Sequence, residues 1–308
     1  MDRQLLLQAV STKVNRKSSS VESVIKLLEE GNTVPFIARY RKEQTGSLDE
    51  IQIKQIQDTW NYELSLAERK EEVIRLIEEQ GKLTDELNRA IEKATQLQKV
   101  EDLYRPYKQK RRTRATIAKE KGLEPLAKEI ISQQERNVLS KAADYISEEH
   151  ELHSVEEVLA GANDIIAEWI ADEPKYREKI RALTYNKGMM QSAVKNGEAD
   201  EKKVYEMYYE FSEAVRNIVA HRILALNRGE KEDVLKVTVE PPMDEITSYL
   251  MKEIISQQAA KELHSFLKET IEDSYKRLIQ PSVEREIRNA LTEKAEEQAI
   301  DVFAKNLQ

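Results

Sequence analysis

The chain has 308 residues, 34% of them charged, with a formal net charge of −8, 8 Gly, 7 Pro and no Cys. The missing Cys excludes disulfides, thiolate nucleophiles and Cys-ligated zinc, and scarce Gly and Pro beside abundant charge predict long helices rather than a sandwich or barrel. No apolar run approaches the roughly 18 residues of a membrane span, and the N-terminal apolar stretch is too short for a signal peptide, so a soluble cytoplasmic protein is expected.

The first clear helix carries Val21, Val24, Ile25 and Leu28 on one face; Ser19 with Glu22 reads as its capping box and Gly31 as its stop. Phe36, Arg39, Tyr40, Arg41 and Lys42 follow as a second candidate site, for which a structural reading is the stronger. Large apolar side chains are usually buried, so Val34, Phe36, Ile37 and Tyr40 are expected in the core, with Arg39 paired to Glu43 or Asp49. Ser47 with Glu50 suggests another capping box, opening a run from Leu48 to Gln80 without Gly or Pro. Such a run spans about 50 Å if it is one helix, with Ile53, Ile56, Trp60, Leu64 and Ala67 facing one partner. Gly81 stops it, and Thr84 caps a helix bearing Leu87 and Ile91.

Next comes Tyr104 to Lys121, YRPYKQKRRTRATIAKEK. Arg105 to Lys121 holds eight basic residues against one acid, Glu120, a net +7 that leaves −15 for the rest of the chain. A positive patch on an acidic protein is the electrostatic footprint of a polyanion site. Pro106 and the charge run predict a loop here. Arg105, Lys108, Lys110, Arg111, Arg112, Arg114 and Lys119 are the candidate phosphate contacts, able to bind without reading bases. Tyr104 and Tyr107 offer stacking surfaces beside them. An acidic protein surface, or solvent alone, satisfies the same cations.

Beyond the loop, Ser154 caps an amphipathic helix from Val155 to Ile170, and Pro174 begins a shorter one. Lys187 to Asp200, with Gly188 and Asn196-Gly197, marks an internal boundary. Met190–Val194 and Leu235–Val239 read as two strands that pair with each other, around a helical run through Ile218, Ile223 and Leu226. Pro241-Pro242 breaks the chain, and the remainder reads as helix. Its last apolar stripe is Val283, Ile287, Leu291, Ile300, Phe303 and Leu307, expected to pack back on the module or on another copy. The expected organisation is a helical domain over 1–190, a small mixed segment over 191–243 and a long-helix segment over 244–308. The fold class is mainly α, with a small two-stranded β element in the second half and a long C-terminal helix.

No catalytic constellation is evident. Phosphate-cradling glycine motifs are absent, so no nucleotide cofactor is expected. His150 and His153 lie in an acidic stretch better read as solvated surface than as a metal site. Around His221, Gly229 reads as a helix C-cap, with Arg222 and Arg228 holding Glu230 or Glu232.

Longer segments carry a family resemblance. GNTVPFIARYRKEQTGSLDE (31–50), VEDLYRPYKQKRRTRATIAKEKGLEPLA (100–127), GANDIIAEWIADE (161–173), HRILALNRGEKEDVL (221–235) and PSVEREIRNALTEKAEEQAIDVFAKNL (281–307) resemble the Tex family of bacterial transcription accessory proteins across essentially the whole chain. The resemblance implies an N-terminal helical domain with a helix-turn-helix-like piece, and an end belonging to a long central helix. Family members continue with RNase H-like, helix-hairpin-helix and OB-type RNA-binding domains that this sequence does not contain. The expected role is a non-enzymatic accessory module contacting RNA or DNA. The alternative is a helical scaffold docking on RNA polymerase or another transcription protein.

Overall fold

The computed structural model describes residues 2–135 and 137–306, with side chains to residue 300. The chain divides into two compact units, 1–107 and 108–308. The expected boundaries near 190 and 243 both fall inside the second unit.

The first unit is all helical: α1 (Arg3–Val14), α2 (Ser18–Glu29), α3 (Val34–Tyr40), α4 (Lys42–Thr45), α5 (Glu50–Glu78), α6 (Asp85–Lys93) and α7 (Leu97–Tyr104). The long helix α5 serves two apolar clusters. Its first half presents Ile53, Ile56 and Trp60 to α1, α2 and Ile37 of α3. Its second half presents Leu66, Val73 and Ile77 to Ile91, Val100 and Tyr104. Each fully buried aliphatic side chain contributes about 1.5–3 kcal/mol, so the two clusters together stabilise the 29-residue rod along its whole length.

The capping of α5 differs from the Ser47–Glu50 expectation. Asp49 accepts from the Gln52 amide at 2.8 Å, and the Gln52 side chain accepts from the Asp49 amide at 3.1 Å. Ser47 instead takes a left-handed φ of 63° just after Gly46. The α2 helix begins one residue before Ser19, with Lys17 at its N-cap and no side-chain cap, so the Ser19–Glu22 box does not form. Thr84 and Ser154 cap as expected, accepting from the amides of Leu87 and Glu157 at 3.2 Å.

The second unit comprises α8 (Arg114–Glu120), α9 (Glu124–Ser132), α10 (Val155–Asp172), α11 (Pro174–Lys187), β1 (Met189–Val194), β2 (Glu210–Ala214), α12 (Ala220–Lys231), β3 (Leu235–Glu240), α13 (Met243–Ile254), α14 (Lys261–Asp273) and α15 (Gln280–Asn306). The central element is α10, whose Val158, Ala162, Ile165 and Ile166 are fully buried. Gly161 permits close approach there: a Cβ would lie 2.3 Å from a Leu123 methyl.

The β element has three strands, ordered β2-β1-β3, with both outer strands antiparallel to β1. Met190–Val194 does pair with Leu235–Val239 as expected. The strand missed, Glu210–Ala214, is short and charged, with no run of β-branched residues to mark it. The outer edge of β3 is closed by side chains. Val239 N–H donates to Glu284 at 2.9 Å, Val237 N–H donates to Glu230 at 3.4 Å, and the Val237 carbonyl accepts from Arg288 at 3.3 Å. Charged groups thus occupy the positions a fourth strand would take, which blocks edge-to-edge pairing.

Helices α14 and α15 run together through a π-helical turn, Ser274–Ile279. Pro281 follows that turn and has no N–H for an i→i−4 bond, so the wider turn accommodates it. Along α15, Val283 and Ile287 are buried, Leu291 packs on the same core and Ala295 is buried, whereas Ile300 is exposed. The terminal stripe therefore packs back on its own module as far as Ala295. The Phe303 side chain and Leu307 lie outside the described residues. Among those described, no helix is long and apolar enough to cross a membrane.

Two further readings need correction. Gly229 is not a C-cap: α12 continues to Lys231, and a Cβ on Gly229 would lie 2.6 Å from a Leu235 methyl and 3.1 Å from Tyr205. Close packing, not a left-handed turn, calls for glycine there. Arg228 holds Glu232 at 2.9 Å, but Arg222 holds Glu213 and Glu230 is held by Arg288. On α3, only Ile37 of the expected core residues is fully buried; Val34 packs partly against the cluster, while Phe36 and Tyr40 are exposed.

Candidate nucleic-acid interface

The basic stretch is not a single loop. Tyr104 ends α7, Arg105–Tyr107 forms a 3-10 turn, and α8 starts at Arg114. Thr113 is the N-cap of α8, accepting from the Thr116 amide at 3.0 Å. The charges concealed this helix in the sequence. Its buried face consists only of Ala115 and Ala118, too small to make a visible stripe. Tyr104 is buried in the first unit's second cluster, with the Arg69 guanidinium over its ring at 5.4 Å, so it offers no stacking face. Arg105 belongs to the first unit, and the remaining six candidates belong to the second.

Within the second unit the cations separate by environment. Lys110 is exposed like its neighbours, but its side chain reaches α10, where its ammonium pairs with Asp172 and lies 3.5 Å from Glu168. Lys119 approaches the same Glu168 at 3.6 Å and lies over the Trp169 ring at 6.0 Å. The Thr113 hydroxyl also donates to Glu168 at 3.0 Å. Glu168 and Asp172 are only 13% and 11% exposed at the side chain. These two carboxylates of α10 therefore hold the stretch before, at and after the start of α8.

The held residues leave others facing solvent. Lys108, Arg111, Arg112 and Arg114 are all exposed. Arg112 reaches Glu120 at 2.8 Å, but the two side chains are 69% and 52% exposed, a geometry worth little in water and readily exchanged. Among the described residues, no hydrogen bond or ion pair engages Lys108 or Arg111. Arg114 lies close enough to Asp164 and Asp273 to act on their charge without a hydrogen bond to either. Burial pushes the Asp164 carboxyl above its ordinary value despite Arg277 and Arg114. The Arg277 hydrogen bond holds Asp273 below its own.

A cleft of about 340 Å³ adjoins α8, lined by Arg114, Ile117, Lys121 and Leu123 on one side and by Glu151, Leu152, Glu157 and Asp164 on the other. Lys121 donates to the Glu151 carbonyl at 3.0 Å. The acids on the second wall disfavour a polyanion inside this cleft, so the exposed cations of 108–114 form the more suitable surface. Sequence reasoning missed Glu168 and Asp172, which determine which cations are free. Their spacing on a helix was visible, but nothing local indicates that their partners lie some 50–60 residues earlier.

Comparison with known proteins places the chain among relatives. The family described as Tex-like protein N-terminal domain matches residues 4–78, and Tex central region-like matches residues 133–303. An uncharacterized protein, YdcI, of Bacillus subtilis is 58% identical over 305 residues, covering 98% of this chain and 42% of that protein. Transcriptional accessory protein Tex of Neisseria gonorrhoeae is 36% identical over 308 residues, covering 98% and 40%. S1 RNA-binding domain-containing protein 1 of Homo sapiens is 31% identical over 316 residues, covering 98% and 31%. The chain thus spans about two fifths or less of the length of these relatives. With more than half its residues matched by the central-region description alone, this chain belongs to the Tex family.

Proposed function

We propose that this chain acts in transcription as a non-enzymatic accessory module that contacts nucleic acid without regard to sequence, through the exposed cations of its basic stretch. The observation carrying this reading is the presentation of Lys108, Arg111, Arg112 and Arg114 to solvent while Lys110 and Lys119 are held on α10. Four cations within seven residues, on a chain of net charge −8, concentrate positive potential where phosphates can reach it. Arginine supplies three of the four, and its planar fork suits bidentate phosphate contact. Contacts of this kind position a strand and carry no base information. The transcription setting follows from the Tex relatives, one of them named as a transcriptional accessory protein.

A second reading has its own support. Lys110 and Lys119 already bind carboxylates of α10, so the exposed members can bind an acidic protein surface such as that of a polymerase partner. To separate the two readings, Lys108, Arg111, Arg112 and Arg114 are replaced together by Ala. Binding is then titrated against two unrelated duplexes and a single-stranded RNA. The proposed function predicts a similar loss on every ligand. Unchanged affinity, or no binding by either protein, favours the docking reading.

A further inference from the structure

The outer face of α3 exposes two aromatic rings beside three cations. Ile37 is fully buried and fixes the helix against the core, while Phe36 and Tyr40 on its outer side are 37% and 61% exposed. Their rings contact each other with centroids 5.1 Å apart and planes tilted by 45°. The Arg41 guanidinium lies over the Phe36 ring at 5.3 Å. Arg39 and Lys42 are exposed beside them, and among the described residues none of these three cations takes part in an ion pair. Glu43, the acid next in sequence, is exposed, and among the described residues neither it nor Asp49 forms the ion pair expected with Arg39.

Isolated exposed apolar residues are ordinary, whereas two exposed aromatics in ring contact with cations on either side form a composite apolar and basic surface. These cations are available to a ligand. The combination matches one ligand chemistry: unpaired bases that stack on the rings, with their phosphates on the cations. A duplex hides its base faces in its own stack and cannot use the aromatics. We propose that α3 is a second nucleic-acid surface, specific for single strands, on which bases stack against the more exposed Tyr40 ring, braced by Phe36, while Arg39, Arg41 and Lys42 hold the backbone. This surface stands on observations in the first unit and does not depend on the basic stretch of the second.

The two sites respond to different parts of the ligand. The basic stretch needs only phosphates, whereas α3 needs bases. The test uses the full chain and a labelled 12-nucleotide polypyrimidine strand. The control is an abasic strand of the same length, followed by anisotropy. The parent protein binds the strand with bases about ten-fold more tightly, the scale of a stacked base. F36L/Y40L keeps apolar bulk, removes both ring faces and abolishes this preference at unchanged melting temperature. R39Q/R41Q/K42Q weakens both strands and lowers the salt slope by up to about 0.7 per lost contact. A variant lacking the four cations of the basic stretch keeps the preference. Equal binding of both strands by the parent, a preference that survives in F36L/Y40L, or no binding by the parent overturns the proposal, the last leaving α3 to a protein partner. If F36L/Y40L melts early, the glutamine variant decides the matter through its salt slope, and an unchanged slope there also overturns the proposal.

Discussion

Lys110 sits amid exposed cations in the sequence, yet its structural role is to fasten the stretch to α10. Replacing it with Ala will cost stability and leave nucleic-acid affinity nearly unchanged. Its ammonium pairs with Asp172 and lies 3.5 Å from Glu168, and its own side chain is 28% exposed. A hydrogen bond between charged groups contributes about 1.5–3 kcal/mol, and partial exposure moves this one to the lower end. Glu168 retains Thr113 and Lys119, and Asp172 keeps a further interaction, so the larger penalty for a stranded buried carboxylate does not apply. The expected loss is about 1.5 kcal/mol. For a unit the size of 108–308, that lowers Tm by about 3–6 °C. Arg111→Ala, with no partner to lose, will leave Tm where it is. Circular dichroism melts and anisotropy titrations on both variants measure the two effects. A K110A protein that melts with the parent but shows a salt slope smaller by about 0.9 would refute the reasoning and make Lys110 a phosphate ligand.

Gly229→Ala will destabilise the second unit by about 1–2 kcal/mol: the helix gains up to about 1 kcal/mol from Ala, but the added methyl overpacks against Leu235 and Tyr205. A melt at or above the parent's would contradict that packing. Arg177, fully buried, donates to Ser282 at 2.9 Å and pairs with Glu286, which Arg181 also holds at 2.8 Å. Burial opposes the charge on Glu286, yet Arg177 and Arg181 win and hold its carboxyl below the ordinary glutamate range. Its contribution is therefore present above the unfolded value of about 4.3 and disappears as pH falls through the lower folded value. Asp273 acts in the same direction, and Asp164, raised by burial, partly offsets both. E286Q will flatten the acid limb of a stability-against-pH curve measured from pH 7 to pH 3; superimposable limbs would show that the cluster does not govern it.

What the sequence revealed, and what it hid, follows from how far each cause extends along the chain. The stripes of α2 and α10 and the caps Thr84 and Ser154 are local and were readable. So was the pairing of Met190–Val194 with Leu235–Val239, because alternation and backbone satisfaction left few other partners. Helix α8 was missed because Ala115 and Ala118 carry its burial beneath a run of charge. The strand Glu210–Ala214 was missed because its stability comes from β1 rather than from its own residues. Gly229 was misread because a glycine near a helix end suits a cap, whereas its reason lies in contact with Leu235. At the candidate site, composition identified the basic stretch. Only the fold shows that Glu168 and Asp172 pair with Lys110 and Lys119 and leave Lys108, Arg111, Arg112 and Arg114 without a tie to α10. Phe36 and Tyr40 were expected inside by the ordinary rule for large apolar side chains, and their exposure is what points to a ligand.

The most direct test of the phosphate-contact account is the salt dependence of duplex binding. The logarithm of the association constant is measured against the logarithm of salt concentration for the parent chain and for K108A/R111A/R112A/R114A, on two duplexes of unrelated sequence. If each cation contacts one phosphate, the slope of the variant is shallower by about 3 to 4, and by the same amount on both duplexes. Parallel lines for the two proteins would contradict the account.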